Sequence, residues 1–449
     1  MPNNHLFGTS GIRGDADTLF TNQFCFDIGR TFAIFLSSKN IEGSIATGMD
    51  PRGSSPRIKK FIEAGLWHEK REIYDQGATP VPSMCFILLS NQSLAGSLMI
   101  TGSHIKANLN GVKFFFNKEE IIKEDEEEIE SIYYSLANKI LVDENSKVEI
   151  HTDSSAQREY EEMLIKLCDT TYPAWRVVVD PGDGAQSDIM PGVLSRLGIK
   201  VVEFNTTLQG EFFARDTENE QDFEPLKKKV VETGADFGVG FDSDGDRCIF
   251  VDDKGNFIPG DYTASLVARE TASEGIVSTI AASQVIEHLG KKVYRTQVGS
   301  PYIIAKMKET KSLFSFEPNG GGISAEIMYT RDGGSTTIKF LNILSRSKKT
   351  IHELVAELPK YYLKKTKVDY KWEQKQQIID LAKKKYSRYK IDELDGLKIW
   401  LDAETWLMFR SSANAPEFRI FAESRDEQTA TKLLNEGEAL VKGVIESVK

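Results

Sequence analysis

The sequence predicts an α/β protein of four domains, three of them related α/β units with mixed sheets and the last a smaller α+β unit. Three observations carry that reading. Strand-like apolar runs alternate with helix-length amphipathic stretches along the chain, the pattern of α/β folds. Three segments repeat one plan of strand, small-residue loop, helix and strand. Apolar side chains make up 40% of the 449 residues, with 34 glycines besides, which is a globular composition. At about 100–200 residues per domain, this length accommodates two to four domains.

In chain order, the first repeat places a strand over 43–50, a helix over 56–68 and a strand over 72–75. The acidic run 118–130 is helix-prone and reads as a solvated helix closing that unit. The second repeat has a strand over 176–180, the loop Pro181-Gly182-Asp183-Gly184, a helix to Leu197 and a strand over 200–204. The third has a strand over 275–280, a helix to Leu289 and a strand over 292–295. After Pro359 the composition turns to Lys, Tyr and Gln. An amphipathic helix over 372–386, strands over 396–401 and 418–423, and a helix over 427–445 read as a βαβ-like fourth unit. The expected domains are 1–147, 148–252, 253–362 and 363–449.

Charge and cysteine usage exclude several classes. There are 56 basic and 67 acidic side chains, a net charge of −11. A nucleic-acid partner is disfavoured, because neutralising phosphates takes clustered Lys and Arg. No run of ~18 apolar residues is present to span a bilayer. The first residues carry no signal-peptide pattern, and Cys25, Cys85, Cys168 and Cys248 form no Cys-x-x-Cys pair, so neither a zinc site nor a disulfide framework is expected. A reduced, cytoplasmic location is the expectation.

The sharpest chemical signal is Gly240-Phe-Asp-Ser-Asp-Gly-Asp-Arg247. Asp242, Asp244 and Asp246 alternate, and Gly245 lets the chain curl so that three hard carboxylates converge on Mg²⁺ or Ca²⁺. An EF-hand would need Gly sixth and Glu twelfth, where Arg247 and Asp253 stand. The competing reading is an Asp-rich surface turn. Arg247 would be free to meet an anionic substrate. The stretch Thr101-Gly-Ser-His104 leaves an apolar segment and enters a polar turn. Ser103 needs a base or a charge to become a nucleophile, and read alone it is a loop serine beside His104. There is no Gly-x-Ser-x-Gly elbow. Lys113, in the strand after Asn110-Gly111, is compatible with plain surface. Glu317 and Asn319, on the glycine-rich turn 316–323, suit vicinal sugar hydroxyls, as they suit an ordinary turn. Arg410, Ser411, Ser412 and Asn414, in a loop between strands, suit a phosphate or a polar connection. No Walker A pattern occurs. At the start, Phe7-Gly-Thr-Ser-Gly-Ile-Arg13-Gly14 reads as a turn carrying Arg13 toward an anion, or as a hairpin.

Taken together and in this order, the five stretches resemble the α-D-phosphohexomutase family over nearly the whole chain. The resemblance implies four domains around a central cleft, each contributing one loop. It makes Ser103 the phosphorylated residue, with Mg²⁺ held by Asp242, Asp244, Asp246 and a phosphoserine oxygen. It makes 316–320 the sugar loop and 410–416 the phosphate loop, with Arg13, His104, Lys113 and Arg247 around the transferring phosphoryl group. Three departures stand out: Ile105-Lys106 where Asn-Pro is common, Asn319-Gly-Gly where Ser-Gly-His is usual, and Asn414 where Thr is frequent. Together with Gly48-to-Pro56 and Gly77-Ala-Thr-Pro80 they look like a bacterial phosphomannomutase branch.

The implied activity is a phosphomannomutase-like isomerase of carbohydrate metabolism. It would interconvert hexose 6-phosphate and hexose 1-phosphate, mannose favoured, through a 1,6-bisphosphate that also serves as primer. That intermediate turns end over end, so Arg410, Ser412 and Asn414 must grip whichever phosphate is idle. Lys113 is the preferred general base, with His104 the other candidate. The alternatives are a phosphoglucosamine mutase or phosphoglucomutase, a non-catalytic sugar-phosphate sensor, and a metal-dependent phosphatase. The expected partners are small-molecule sugar phosphates, with no nucleic acid and no membrane, in a monomer or homodimer.

Overall fold

Three sheets of one strand plan, followed by a fourth of another, account for the computed structural model, which describes residues 5–143, 145, 147–208, 213–412 and 416–447. In the first sheet, Ser44–Met49 runs parallel to Ile73–Ala78 on one side and to Leu94–Ile100 on the other. Leu94–Ile100 then pairs antiparallel with Leu109–Phe116. The second sheet repeats this with Arg176–Asp180 between Lys200–Glu203 and Phe237–Phe241, the last antiparallel to Cys248–Asp252. In the third, Gly275–Thr279 lies between Lys292–Thr296 and Phe314–Phe316, and Phe314–Phe316 pairs antiparallel with Gly322–Ser324. The repeat expected from sequence is thus the same four-strand order used three times.

The core follows from strand alternation. Ser44–Met49 and Leu94–Ile100 are buried almost throughout, as parallel strands covered on both faces must be. Ile45, Leu98 and Ile100 pack on one side with the helices Asn22–Ser38 and Ser55–His68. Ala46 and Met99 face the other side, toward Val81–Ser90 and Ser155–Leu167. That second layer is continuous with apolar residues of the second and third sheets, including Val177, Val239, Ile276 and Phe316. The first three units therefore share one apolar layer, and each has a further cluster of its own.

The fourth unit corrects the βαβ-like expectation. Its strands, in the order Tyr362–Asp369, Glu417–Ser424, Trp406–Ser411, Leu397–Trp400 and Lys390–Asp392, are all antiparallel. The helices Lys375–Lys385 and Glu427–Ser447 contribute Ile378, Ala382, Leu433 and Val441 to its separate core. It docks on the third unit through a small apolar cluster of Ile280 and Ala281 with Trp406 and Met408.

Smaller differences have local causes. Glu119–Glu120 pairs with Phe115 and Phe116, so the acidic helix begins at Lys123 and runs to Leu136. In the third repeat the expected helix is only a 3₁₀ turn, Gln284–His288. In the second, residues 181–189 form a long turn before the short helix Met190–Arg196. His151–Thr152 still belongs to the first sheet and Phe257–Ile258 to the second, so both sheets run past the limits expected at 147 and 252. Among the described residues, no helix is long and apolar enough to cross a membrane.

Candidate active site

The three repeated sheets place their chemistry alike. Residues 101–108, 242–247 and 317–321 each join a parallel strand to the antiparallel strand beside it. In the fourth sheet Trp406–Ser411 is antiparallel to both of its neighbours. The first three candidate loops are thus hairpin connections.

In the first of them, Ser103 is buried and held at a left-handed φ of 51°, a costly backbone for a residue with a side chain. What holds it there is Arg52. Its guanidinium donates to the carbonyl oxygens of Ser103, Ile105 (2.9 Å), Lys106 (2.8 Å) and Leu109 (2.9 Å), while Nε is paired with Asp50 Oδ2 at 3.0 Å. Gly102 is required in this arrangement, because a Cβ there would lie 2.3 Å from Arg52 Cζ. Ser103 N donates to Thr101 Oγ1 at 2.8 Å, and Ser243 Oγ donates to the Ser103 carbonyl. The serine loop is therefore fastened to the aspartate loop by backbone as well as by side chain.

Ser103 Oγ donates to Asp242 Oδ2 at 2.9 Å and lies 3.3 Å from His104 Nδ1. Asp242, Asp244 and Asp246 each bring a carboxylate oxygen within 4.8 Å of the other two. Lys113, for which surface was one reading and the family resemblance gave a place at the phosphoryl group, is fully enclosed, with Nζ 2.6 Å from Asp246 Oδ2 and 3.3 Å from Asp244 Oδ2. Burial pushes the Asp242 carboxyl well above the usual carboxylate range, and Asp244 and Asp246 push it further. Asp246 goes the other way: Arg331, Lys113 and Arg247 together outweigh its burial. Asp244 Oδ1 and Asp246 Oδ1 are buried with no hydrogen-bond partner. Two unsatisfied hard oxygens beside a third carboxylate fit a divalent cation such as Mg²⁺.

Arg247 is buried among carboxylates, and its Nε makes no hydrogen bond. Its guanidinium lies 3.7 Å from Asp242, 3.6 Å from Asp246 and 3.5 Å from Asp216. Arg13 sits on the strand Ile12–Asp15 rather than in a turn, and its Nη1 donates to the Thr101 carbonyl at 3.0 Å. Burial drives the His104 imidazole well below its ordinary pKa, helped by Arg247 and opposed by Asp216.

The sugar-loop candidates join this cluster through a residue the sequence did not flag. Arg331 is buried, with Nη1 2.5 Å from Glu317 Oε2 and Nη2 2.9 Å from Asp246 Oδ2. Asn319 braces its own turn by accepting from Gly321 N at 3.0 Å, and Gly320, at φ 80°, has no room for a Cβ against the Cys248 carbonyl. Arg52 lies within Gly48-to-Pro56 and Arg331 just before Asp332-Gly-Gly334, but neither stretch by itself pointed to this site. The signal that could have found them is arithmetic: each buried carboxylate needs a buried cation.

Arg410 and Ser411 close the strand Trp406–Ser411 rather than lying in a loop, because Trp406-Leu-Met-Phe409 is an unbroken apolar run that the sheet buries. Arg410 Nε donates to Asp395 Oδ2 at 2.7 Å, and Ser412 N donates to the Glu417 carbonyl at 2.8 Å. Arg410 lies opposite Arg419 in the strand pairing. Directly opposed like charges are unfavourable, so this corner favours an anion. Asn414 lies outside the described residues.

Comparison with known proteins returns one family. Models of the phosphoglucomutase/phosphomannomutase alpha/beta/alpha domains I, II and III match residues 4–139, 158–255 and 259–362. A phosphoglucomutase/phosphomannomutase of Thermococcus kodakarensis is 35% identical over 96% of this chain and 97% of its own length. A phosphoglucosamine/phosphogalactosamine mutase of Sulfurisphaera tokodaii is 31% identical over 98% of this chain and 99% of its own. Among solved structures, a phosphoglucomutase/phosphomannomutase family protein from Burkholderia thailandensis superimposes with a TM-score of 0.82 at 20% identity, over 98% of each chain. The N-acetylphosphoglucosamine mutase of Aspergillus fumigatus, solved in complex with GlcNAc-6P and magnesium, gives a TM-score of 0.62 at 15% identity, over 99% of this chain and 96% of that one.

Proposed function

The chain belongs to the phosphoglucomutase/phosphomannomutase family of α-D-phosphohexomutases, intramolecular phosphotransferases, and from that premise we propose that it shuttles a phosphoryl group between Ser103 and the hydroxyls of a hexose phosphate. The observation that carries the reading is Ser103 Oγ at 2.9 Å from Asp242 inside a triad with two unsatisfied buried oxygens. Asp242, Asp244 and Asp246 would hold a divalent cation, which would supply counter-charge to the phosphoryl oxygens.

The rest is done by the chain itself. With Ser103 esterified, the P–Oγ bond breaks as a bond forms to the sugar hydroxyl, whose proton must leave at the same time. Oγ regains a proton when it is released. His104 is placed for that proton, with Nδ1 3.3 Å from Oγ. Lys113 has the better electrostatic role, since its ammonium already lies between Asp246 and Asp244. Arg13, bonded to the Thr101 carbonyl, and Arg247, beside Asp242 and Asp246, offset charge on the equatorial oxygens. Glu317 and Asn319 take the sugar hydroxyls. Arg410, with Ser411, Ser412 and Asn414, takes the idle phosphate.

For the substrate we favour mannose and glucose phosphates, because the more similar of the two relatives is a phosphoglucomutase/phosphomannomutase. A hexosamine phosphate is the second reading, favoured by the other relative at 31% identity. Coupled assays of mannose, glucose and glucosamine phosphates, with Mg²⁺ and a hexose 1,6-bisphosphate primer, test both readings. The expected result is 6- to 1-phosphate interconversion; inorganic phosphate release without isomerisation would overturn the proposal.

A further inference from the structure

The residue that orients Arg410 also touches the neighbouring domain. Asp395 sits in the turn between the strands Lys390–Asp392 and Leu397–Trp400. That turn is pressed onto Arg410 by Gly396, at φ 89°, where a Cβ would meet the Phe409 carbonyl oxygen at 2.3 Å and Arg410 Cα at 3.1 Å. The same oxygen, Asp395 Oδ2, accepts from Arg410 Nε at 2.7 Å and from the backbone N of Val298 at 2.9 Å. Val298 belongs to the third unit, immediately before the helix Ser300–Thr310. Beside this contact, Gln297 Nε2 donates to the Leu394 carbonyl at 3.1 Å without touching Arg410.

We propose that Asp395 is a positioning residue for the phosphate grip, fixing the Arg410 guanidinium and, through the Val298 backbone, tying that grip to docking of the fourth sheet on the third unit. The inference rests on the assignment of Arg410 to the idle phosphate made above. With Nε committed to Asp395, an incoming phosphate meets the Nη1/Nη2 end, the fork that matches two phosphate oxygens. The guanidinium plane is then set before the ligand arrives, and binding loses less side-chain freedom. Arg419 stands opposite Arg410, so a released Arg410 would be driven off by the like charge. Docking matters because one carboxylate oxygen serves both donors: when Val298 N is withdrawn, Asp395 loses the contact that fixes its own rotamer.

The test is calorimetric binding of inorganic phosphate to the full chain in EDTA, using wild type, Asp395→Asn, Arg410→Met, the double variant and Gln297→Ala. Asp395→Asn is expected to weaken phosphate binding at least tenfold in the Arg410 background and less than twofold in the Arg410→Met background. Gln297→Ala should stay within twofold of wild type, which separates orientation of Arg410 from docking contacts in general. Asp395→Glu, which keeps the charge but displaces it, should fall between wild type and Asp395→Asn. In turnover, Asp395→Asn should raise the bisphosphate primer requirement and KM more than it lowers kcat. Unchanged phosphate affinity in Asp395→Asn, or an equal loss with and without Arg410, overturns the proposal. Should Asp395→Asn lose its fold by circular dichroism, Asp395→Glu alone decides: affinity equal to wild type overturns it. A wild-type protein that binds phosphate in this Asp395-dependent way yet isomerises no hexose phosphate would sink the mutase reading and leave this inference standing.

Discussion

At the scale of single residues, the site is a charge balance with one nucleophile in it. Ser103→Ala removes the hydroxyl held against Asp242 and leaves Arg410, Glu317 and Asn319 untouched. Turnover should fall to background while sugar-phosphate affinity, read by calorimetry, stays within a few-fold; intact mass should show a phosphate on wild type and none on the variant. Arg331 makes a second case. Its two ion pairs are with buried acids, Glu317 and Asp246, and stripping the partner from a buried charge costs about 3–5 kcal/mol. Arg331→Met should therefore lower the unfolding midpoint and damage both Mg²⁺ response and KM, whereas a substitution at exposed Lys228 should do neither. Both outcomes are read by thermal melts with and without Mg²⁺ and by steady-state kinetics. The acids of this site were legible in the sequence because Asp-x-Asp-Gly-Asp is a dense local pattern. Arg13, Lys113 and Arg247 were reached through the family resemblance, but no role was read for Arg52 or Arg331. Arg52 and Arg331 act from 51 and 85 residues away from Ser103 and Asp246, and spacing of that length carries no local signal.

At the scale of elements, strand–loop–strand units were read well where polarity changes sharply and poorly where it does not. The three repeated strands stood out because glycine-rich or polar loops bound them. Trp406–Ser411 was missed because the run Trp-Leu-Met-Phe has no alternation and its polar end, Arg410-Ser411, resembles a loop. The third repeat's helix shrank to a 3₁₀ turn because Ser283, whose side chain accepts from Val285 N, and Gln284 turn their backbone to the fourth unit, where Glu423 accepts from Gln284 N. Helix-to-sheet packing also stores a pH dependence. Glu63, on the helix Ser55–His68, is buried against Thr47, which donates to it at 2.6 Å. Burial raises its pKa to about 7, with Lys59 opposing. The folded state thus binds this proton more firmly than the unfolded chain does. The contribution of Glu63 is fully present below the ordinary glutamate range and is lost as pH rises to about 7. Glu63→Gln keeps the acceptor for Thr47 and removes the titration. Denaturant melts at pH 5 and pH 8 should show the variant gaining on wild type at the higher pH, by up to about 3 kcal/mol; an equal difference at both values would refute the assignment.

At the scale of the whole molecule, the aspartate loop is where separate units are held together. Asp244 Oδ2 accepts from Thr101, Asp246 Oδ2 takes Lys113 of the first sheet and Arg331 of the third, and Asp244 O accepts from Val81 N. The four-unit plan was legible from composition and repeats; the meeting of the serine loop, Lys113 and the aspartate loop was reached only through the family resemblance, and the part of Arg331 in it only through the fold. An ion that binds the converged carboxylates binds the folded chain alone, because the unfolded chain scatters them. Stability then rises as RT ln(1 + [Mg²⁺]/Kd), about 2.7 kcal/mol at a hundredfold excess over Kd. Mg²⁺ should raise the unfolding midpoint of the substrate-free protein, and EDTA should reverse the gain. Asp244→Asn removes one of the two unsatisfied oxygens as an anionic ligand and should abolish most of the increment. It also removes one negative charge from three crowded ones, so the variant measured in EDTA should be no less stable than wild type by more than the loss of its Thr101 and Lys113 contacts. A midpoint indifferent to Mg²⁺, or an Asp244→Asn protein that keeps the full increment, would show that the triad is a structural knot tied by Lys113, Arg247 and Arg331 and holds no ion.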